Sequence, residues 1–180
     1  MVANAFMDPE ATVLSYFGIQ PGMKIADFGA GAGFFAILMA KLTGERGSVT
    51  AVDVLDSALD AIRAKAKSEA LNNIATVRSN LEVVGSSGLA DGSQDLVLVK
   101  NVLFQSQKKA EIFREAGRVL APGGQLVVLD WKKGSGGLGP PDQLRDEPEQ
   151  IVALAQQYNF NLANSFTPDA FHFGLILKHA

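Results

Sequence analysis

One segment, Lys24 to Leu42, constrains the fold of this chain more than any other. It reads KIADF, then GAGAG, then FFAILMAKL. A short apolar run bounded by glycine is typical of a buried parallel strand. The spacing of Phe34, Ile37, Leu38 and Leu42 predicts a helix with one buried stripe. Strand, glycine turn and helix together predict a ligand site, because glycine lacks a Cβ and the N–H groups at a helix start are free.

Expected strands and helices alternate along most of the chain. The expected strands are 24–28, 48–53, 74–77, 95–99 and 125–131, and the helices after the first are 57–71, 107–120 and 148–158. This alternation predicts a parallel sheet with helices on both faces. Two further strands, 160–165 and 171–178, follow one another directly and predict an antiparallel strand at the edge.

The ends of the expected parallel strands carry polar residues. Ligands of such sheets bind beyond the carboxyl ends of the strands. The residues found there are Asp27 to Gly33, Asp53, Asn80, Asn101, and Asp130 to Lys133. Their convergence is the main indication of a functional site.

Length and composition limit the class of protein. The chain has 180 residues and a formal net charge of -3, which suits one domain over 1–180 and disfavours broad nucleic-acid binding. Cysteine is absent, so disulfides, thiolate metal sites and cysteine nucleophiles are excluded, and no metal is expected. No apolar run approaches a membrane span and no signal-peptide plan is visible, so we expect a cytoplasmic protein without membrane association.

The first 22 residues have two interpretations. Asp8 to Phe17 predicts a short helix, with Asp8 as N-cap and Pro9 at the first helical position. The favoured interpretation is a helix that covers an edge or a face of the sheet. The other is a flap over the ligand, with Phe6, Tyr16 or Phe17 facing it.

Two ligands compete for the glycine turn. Gly31-x-Gly33-x-x-Ala36 fits a dinucleotide fingerprint if alanine is allowed at the third place, whereas Asp27, Gly29, Gly31 and Gly33 fill the acidic-x-Gly-x-Gly-x-Gly pattern of S-adenosylmethionine (AdoMet) sites. A carboxylate repels a pyrophosphate and attracts the ammonium and sulfonium of AdoMet. Asp27 therefore favours AdoMet.

Asp53 adds to this pattern. It ends the second strand, 20 positions beyond Gly33, a spacing that brings a carboxylate to ribose hydroxyls. An aspartate at a strand end can instead cap the next helix. In combination with the glycines we favour the ribose.

Six motifs in order resemble class I AdoMet-dependent methyltransferases over nearly the whole chain. They are IADFGAGAGFF, VTAVDV, RSNLE, DLVLVKNVLFQ, GRVLAPGGQLVVLDW and FHFGLILKH. Small single-domain members related to the ubiquinone/menaquinone C-methyltransferases look most similar. The resemblance implies an α/β fold, a Rossmann-like doubly wound sheet of seven strands in the order 3-2-1-4-5-7-6, with strand 7 antiparallel and helices on both faces.

The resemblance also implies roles for individual residues. Asp27 and Gly29 match the turn that holds the methionine moiety, and Ala30, Gly31 and Gly33 belong to the same turn. Asp53 matches the ribose ligand, Val54 the apolar neighbour of adenine, and Asn80 and Leu81 the pair beside the adenine edge. Asn101 matches the residue near the departing methyl group. The histidine pair that relatives often carry near Phe104 and Gln105 is absent.

Candidates for catalysis and for acceptor binding are fewer. Asn101 and Asp130 are the catalytic candidates, while His172 is expected to be a partly exposed structural histidine and His179 is nearly terminal. On the acceptor side, Phe104, Trp131, Lys132 and Arg145 border or lie in the loop 132–147. Trp131 can pack on an acceptor, and Lys132 or Arg145 can hold an anionic group. A core tryptophan and a solvated lysine pair are the slightly favoured alternative.

The leading hypothesis is an AdoMet-dependent methyltransferase that acts on a small-molecule acceptor by in-line displacement and releases S-adenosylhomocysteine. We expect a monomer or a homodimer, and nucleic acid is an unlikely partner. Two alternatives remain open: a non-catalytic AdoMet-binding module that works through a partner, and an NAD(P)-dependent oxidoreductase.

Overall fold

Residues 7–180 are described by the computed structural model, and the elements below belong to that part of the chain. The strands are β1 Lys24–Phe28, β2 Ser48–Asp53, β3 Ile74–Arg78, β4 Gln94–Lys100, β5 Leu120–Trp131, β6 Phe160–Phe166 and β7 His172–His179. The α-helices are α1 Pro9–Thr12, α2 Phe34–Thr43, α3 Asp56–Ser68, α4 Lys109–Val119 and α5 Pro148–Gln156. A π-helical turn, Val13–Phe17, continues α1, and two short 3-10 helices span Leu103–Gln105 and Asp142–Leu144.

The seven strands form one sheet in the order β3-β2-β1-β4-β5-β7-β6. β1 to β5 pair in parallel, and β7 runs antiparallel to both β5 and β6. This topology confirms the predicted strand order and the antiparallel strand 7. The sheet order places the tips of β1, β2 and β4 side by side, where the site is expected.

Each face of the sheet has its own apolar core. α4 and α5 cover one face, and α2, α3 and the N-terminal helical segment cover the other. Strands in the middle of the sheet are buried on both faces, as their continuous apolar runs predict. The fold is therefore doubly wound, as expected.

Strand register decides which side chains share the face covered by α2. Asp27 pairs with Leu98, Lys100 with Leu129, and Trp131 with His172. Because alternate residues of a strand point the same way, Asp27, Lys100, Trp131 and His172 project from one face of the sheet. Asp130 projects from the other. This alternation explains most of what the site contains.

Three local predictions need correction. Phe34 is 62% exposed and lies under the Lys65 ammonium, because α2 is apolar on most sides and turns Phe35, Ala36 and Met39 toward the sheet instead. α3 ends at Ser68, ahead of Ala70, which has a left-handed φ of 54°. β5 begins at Leu120 and includes the Pro-Gly-Gly turn, with a register shift opposite β4.

The N-terminal helical segment packs on the core. The Asp8 carboxylate accepts the N–H groups of Glu10 (2.9 Å) and Ala11 (3.3 Å), as an N-cap does. Phe17 is buried against Phe35, and Tyr16 stacks on Phe166 with ring centroids 3.9 Å apart. These contacts fit the covering helix that the sequence favoured. Phe6 lies outside the described residues.

No helix within residues 7–180 is both long enough and apolar enough to cross a membrane.

A buried carboxylate anchors the loop between β3 and β4. Glu115 of α4 is fully buried and accepts the Gly85 N–H (2.6 Å) and the Ser87 hydroxyl. Arg118 donates to the same carboxylate through Nε (3.0 Å) and Nη2 (2.8 Å). These donors outweigh the cost of burial and lower the pKa of Glu115 to about 2. The loop carries part of the site wall, so this network positions it indirectly.

We expect Glu115→Gln to lower the free energy of unfolding at pH 7 by about 3 kcal/mol, because Arg118 then loses its buried charged partner and keeps only the exposed Asp91. The lowered pKa means that this stabilisation is present above about pH 4.5 and is lost as pH falls toward about 2. Urea unfolding of the wild type and the variant at pH 7 and pH 3 measures this difference in stability. Glu111→Gln on the same helix, which loses only a surface pair with Arg114, should cost under about 1 kcal/mol. Equal losses in the two variants would contradict this assignment.

Candidate functional site

A cavity of about 720 Å³ opens at the carboxyl ends of β1, β2 and β4. Its wall contains most of the residues that the sequence singled out. Those that line it are Asp27, Gly29, Ala30, Gly31, Asp53, Val54, Asn80, Leu81, Asn101 and Trp131. Five of the predicted residues do not: Gly33, Phe104, Asp130, Lys132 and Arg145.

The glycine turn between β1 and α2 forms one side of the cavity. Gly29 and Ala30 donate their N–H groups to the Val52 carbonyl at 2.8 and 3.0 Å, which joins the turn to the tip of β2. Gly31 has a φ of 52° and nothing within 4 Å of the place where a Cβ would lie, so bare backbone faces the cavity. A ligand can therefore approach the main chain here.

Gly33 has a different role from the predicted one. It is buried, and a Cβ there would overlap the side chain of Ile62 on α3. Gly33 therefore allows α2 and α3 to pack closely and does not touch the cavity.

Asp27 is the most unusual group in the wall. Its side chain is almost completely buried, with the residue 2% exposed, and its Oδ2 has no hydrogen-bond partner in the part of the chain that the structure describes. Burial raises the pKa of Asp27 to about 7; nearby Lys100 opposes the shift and Asp53 adds to it. Lys100 and the Ala36 N–H favour the ionised carboxylate, but they do not outweigh the effect of burial.

Lys100 was not singled out from the sequence. It ends β4, lines the cavity, and lies 5.5 Å from the centroid of the Phe35 ring. Burial lowers the pKa of Lys100, and the carboxylates of Asp27, Asp130 and Asp169 oppose that shift. The alternation of β4 is the signal that would have placed it beside Asp27.

Asp53 joins the two turns at the cavity edge. Its Oδ2 accepts the Gly31 N–H at 2.9 Å, and its Oδ1 accepts the Leu55 N–H at 3.0 Å. Each carboxylate oxygen keeps a second lone pair for another donor. Val54 and Leu55 continue the rim with half or more of their surface exposed. The backbone thus fixes the orientation of Asp53 before any ligand arrives.

Within residues 7–180, three buried polar atoms of cavity-lining residues have no hydrogen-bond partner: Asp27 Oδ2, Asn101 Oδ1 and His172 Nε2. Asn101 also has a left-handed φ of 54°, a strained conformation for a residue with a side chain. Buried polar atoms are nearly always paired in native proteins. Their concentration in one cavity indicates a site that takes a polar ligand.

His172 corrects a prediction. It is 5% exposed and lines the cavity, so it is not the partly exposed structural histidine that we expected. Its Nδ1 lies 2.8 Å from Oδ2 of Asp169, and its ring centroid lies 4.2 Å from that of Trp131. Burial lowers the pKa of His172, while Asp169 opposes the shift. Asp169 was not singled out from the sequence.

Asp130 lies outside the cavity, so the structure does not support it as a catalytic residue. Its Oδ2 accepts the N–H groups of Leu103 (3.1 Å) and Phe104 (3.3 Å), and its Oδ1 accepts the Trp131 N–H (2.8 Å). Burial raises the pKa of Asp130 to about 6. The carboxyl holds the 3-10 helix Leu103–Gln105 against the end of β5, which was the alternative role for an aspartate at a strand end.

Arg145 organises the loop 132–147 from within. It is 4% exposed, and its guanidinium donates to the carbonyls of Lys132 (3.0 Å), Gly136 (3.2 Å) and Pro140 (2.8 Å) and to the Ser135 hydroxyl (2.7 Å). No donor is left for an anionic acceptor, so the predicted anion-binding role is wrong.

The other three residues expected on the acceptor side differ in whether they line the main cavity. Lys132 is exposed on the surface, and Phe104 lines a separate depression of about 400 Å³. Trp131 alone of the four lines the main cavity. At the opposite rim, Met7 and Pro9 line it, whereas Tyr16 and Phe17 do not.

Within residues 7–180 there is no group of three or more His, Asp or Glu side chains that could hold a metal ion.

Comparison with known proteins gives consistent results. A family model described as a methyltransferase domain matches residues 19–172. The ubiquinone/menaquinone biosynthesis C-methyltransferase of Shewanella sp. (strain W3-18-1) is 32% identical over 117 residues, which are 64% of this chain and 45% of the relative. The chain thus spans about half the length of the curated relatives it matches.

Two solved structures illustrate the likeness in fold. An AdoMet-dependent methyltransferase from Aquifex aeolicus superposes with a TM-score of 0.87 at 25% identity, covering 97% of this chain and 90% of the other. The geranyl diphosphate C-methyltransferase of Streptomyces coelicolor A3(2) has a TM-score of 0.79 at 11% identity, covering 95% and 75%. The second likeness concerns the fold alone.

We expect Asp27→Asn to stabilise the free protein above pH 7 by about 2–4 kcal/mol, because the substitution removes an uncompensated buried charge. A raised carboxyl pKa makes the wild type lose stability as pH rises from about 4 to about 7. The stability of the variant should therefore differ little from that of the wild type near pH 4 and most at pH 8. Urea unfolding at both pH values measures this difference. The exposed substitution Asp60→Asn is the control, and an Asp27→Asn variant that is less stable at pH 8 would contradict the assignment.

Proposed function

The chain belongs to the methyltransferase domain family, and we propose that it transfers the methyl group of AdoMet to a small-molecule acceptor in the cavity at the ends of β1, β2 and β4. This membership confirms the resemblance drawn from the sequence. The observation that carries the assignment of the site is Asp27, a buried carboxyl beside an open glycine turn whose Oδ2 has no hydrogen-bond partner among the described residues.

The residues present fit AdoMet. The ammonium of its methionine moiety would supply the positive charge that Asp27 lacks, and the bare backbone at Gly31 leaves room for close approach. Asp53 is already oriented by two backbone N–H groups and would accept the ribose hydroxyls. Val54 and Leu81 would contact adenine, with Asn80 at its edge. AdoMet supplies a methyl group made electrophilic by the attached sulfonium.

The chain then has two tasks, which are to position the acceptor behind the methyl group and to exclude water. A nucleophile held in line behind the methyl group reacts without further activation of the carbon, so orientation accounts for much of the rate. Asn101 lies at the end of β4 with Oδ1 unpaired and would contact the groups near the methyl. Trp131 provides an apolar surface on the acceptor side. Asp130 and Arg145 keep the surrounding turns in place.

A small acceptor is supported by the cavity of about 720 Å³, which is bounded by the strand tips, the glycine turn and the loop between β3 and β4. The Shewanella relative is named for C-methylation in ubiquinone/menaquinone biosynthesis. Because the chain spans less than half of that relative, we propose only the broader class of small-molecule acceptor. One domain over 1–180, a monomer or homodimer, and a cytoplasmic location stay predictions.

The electrostatics of the site disfavour the oxidoreductase alternative. A dinucleotide would bring its pyrophosphate to the glycine turn, beside the buried carboxyl of Asp27. The sheet also continues from β5 into an antiparallel pair, where a dinucleotide-binding fold would need a second mononucleotide half.

Calorimetric titration with AdoMet, S-adenosylhomocysteine and NAD tests the proposal. We expect the two sulfur nucleosides to bind and NAD to give no signal. Conversion of AdoMet to S-adenosylhomocysteine with a small acceptor then separates an enzyme from a non-catalytic binding module. A protein that binds neither sulfur nucleoside would contradict the proposed site.

We expect Asp53→Ala to weaken binding of both sulfur nucleosides at least tenfold, ~1.4 kcal/mol or more, because the ribose hydroxyls lose their acceptor. The same titration measures the change. Asp56→Ala, three residues further along the chain and outside the cavity wall, should bind as the wild type does. An unchanged affinity in Asp53→Ala would remove Asp53 from the site.

A further inference from the structure

We infer that His172, oriented by Asp169, is the base that takes the proton from the methyl acceptor, and that the acceptor therefore reaches the site as an O–H or N–H nucleophile. The inference rests on the proposed function and adds a catalytic residue and a substrate class to it. His172 lines the cavity, has an unpaired ring nitrogen and a fixed orientation, and is not assigned to the cofactor by the proposed function.

The geometry of His172 sets its tautomer. A carboxylate can only accept hydrogen bonds, so Nδ1, at 2.8 and 3.0 Å from the two Asp169 oxygens, must carry the proton. Nε2 then holds the lone pair. His172 lines the cavity, and its Nε2 is buried and has no hydrogen-bond partner among the described residues. A neutral histidine with this tautomer is a ready proton acceptor.

Asp169 is itself held in place. The N–H groups of Phe171 and His172 both donate to its Oδ1 at 2.7 Å. Trp131 covers the imidazole, with ring centroids 4.2 Å apart. The ring can therefore neither turn over nor exchange its two nitrogens without losing these contacts, which is the arrangement that a positioned base requires.

The charged groups around His172 act in opposite directions. Lys100 from β4 and Arg145 from the loop 132–147 disfavour the imidazolium, and burial does the same, so the pKa of His172 is lowered. Asp169 favours the imidazolium and would stabilise it once the proton has moved. His172 is thus neutral at rest and is supported after it becomes charged.

The atoms of the step balance as follows. The acceptor oxygen or nitrogen forms a bond to the methyl carbon, and the electron pair of the broken carbon–sulfur bond returns to sulfur. The acceptor loses its proton to Nε2 of His172, which becomes an imidazolium paired with Asp169. The proton leaves to solvent when the products are released.

The other acidic and basic groups are less suitable. Asp53 is engaged by two backbone N–H groups, and Glu82 accepts the Ser106 hydroxyl at 2.6 Å. Asp27 is placed for the cofactor, and Asp130 does not line the cavity. Burial lowers the pKa of Lys100, but the carboxylates of Asp27, Asp130 and Asp169 favour its protonated form, which has no lone pair to accept a proton. These positions leave His172 as the base.

Three variants test the inference. His172→Gln removes the lone pair. Asp169→Asn keeps the shape of the side chain, but its amide N–H₂ group faces Nδ1 and favours the tautomer in which Nε2 carries the proton. His179→Gln changes the other histidine, which packs against Phe160 with its ring tilted by 47° and lies outside the cavity wall. All three should bind AdoMet within about twofold of the wild type, which separates a failure of this inference from a failure of the proposed function.

Histidine ¹⁵N NMR of the S-adenosylhomocysteine complex at pH 7.5 provides a readout that needs no acceptor. We expect an unprotonated Nε2 and a protonated Nδ1 for His172 in the wild type, and the inverted pattern in Asp169→Asn. A protonated Nε2 in the wild type would overturn the inference.

Rates of S-adenosylhomocysteine formation with catechol and with 1,4-naphthohydroquinone complete the test. We expect His172→Gln and Asp169→Asn to be at least about 100-fold slower than the wild type, and His179→Gln to be unchanged. The wild-type rate should rise with pH as His172 loses its proton, and this acid limb should vanish in His172→Gln. Wild-type rates in His172→Gln, or a wild type that binds AdoMet and methylates neither compound, would contradict the inference.

Discussion

The buried carboxyl of Asp27 is the constraint on which the site depends. Sheet order puts it near the end of β1, beside the central strand β4 and between the glycine turn and Lys100, where water does not compensate its charge. Burial of a charged carboxylate costs stability, and a positively charged guest would offset that cost. Family membership and local electrostatics thus point to the same cofactor, through independent observations.

Much of the fold follows from the sequence because local signals and global topology agree. The strand at Lys24–Phe28, the glycine turn and the acidic end of β2 each have the pattern their structure requires, and connections in such sheets follow a few rules. The placement of Asp27, Gly31 and Asp53 around one cavity follows for the same reason. Helix faces were less predictable: α2 is apolar on nearly every side, and spacing alone did not show that Phe34 is exposed.

The acceptor side was harder to predict because it depends on strand parity and on loops. Asp130 and Trp131 are neighbours in sequence, yet only Trp131 faces the cavity, because successive residues of a strand point to opposite faces of the sheet. The antiparallel pairing that brings His172 opposite Trp131 is not visible in either strand alone. Arg145 has the charge of an anion-binding residue, but the carbonyls of its own loop occupy it. Side-chain chemistry without partners is a weak guide to role.

Proton release on AdoMet binding tests the central claim most directly. If a positive ligand forces Asp27 to ionise, calorimetry at pH 6 in buffers of different ionisation enthalpy should show release of nearly one proton per site, because the pKa of Asp27 in the free protein is about 7. At pH 8 the carboxyl is already ionised, and release should fall toward zero. Binding at pH 6 without proton release would contradict the claim that Asp27 meets the charge of its ligand.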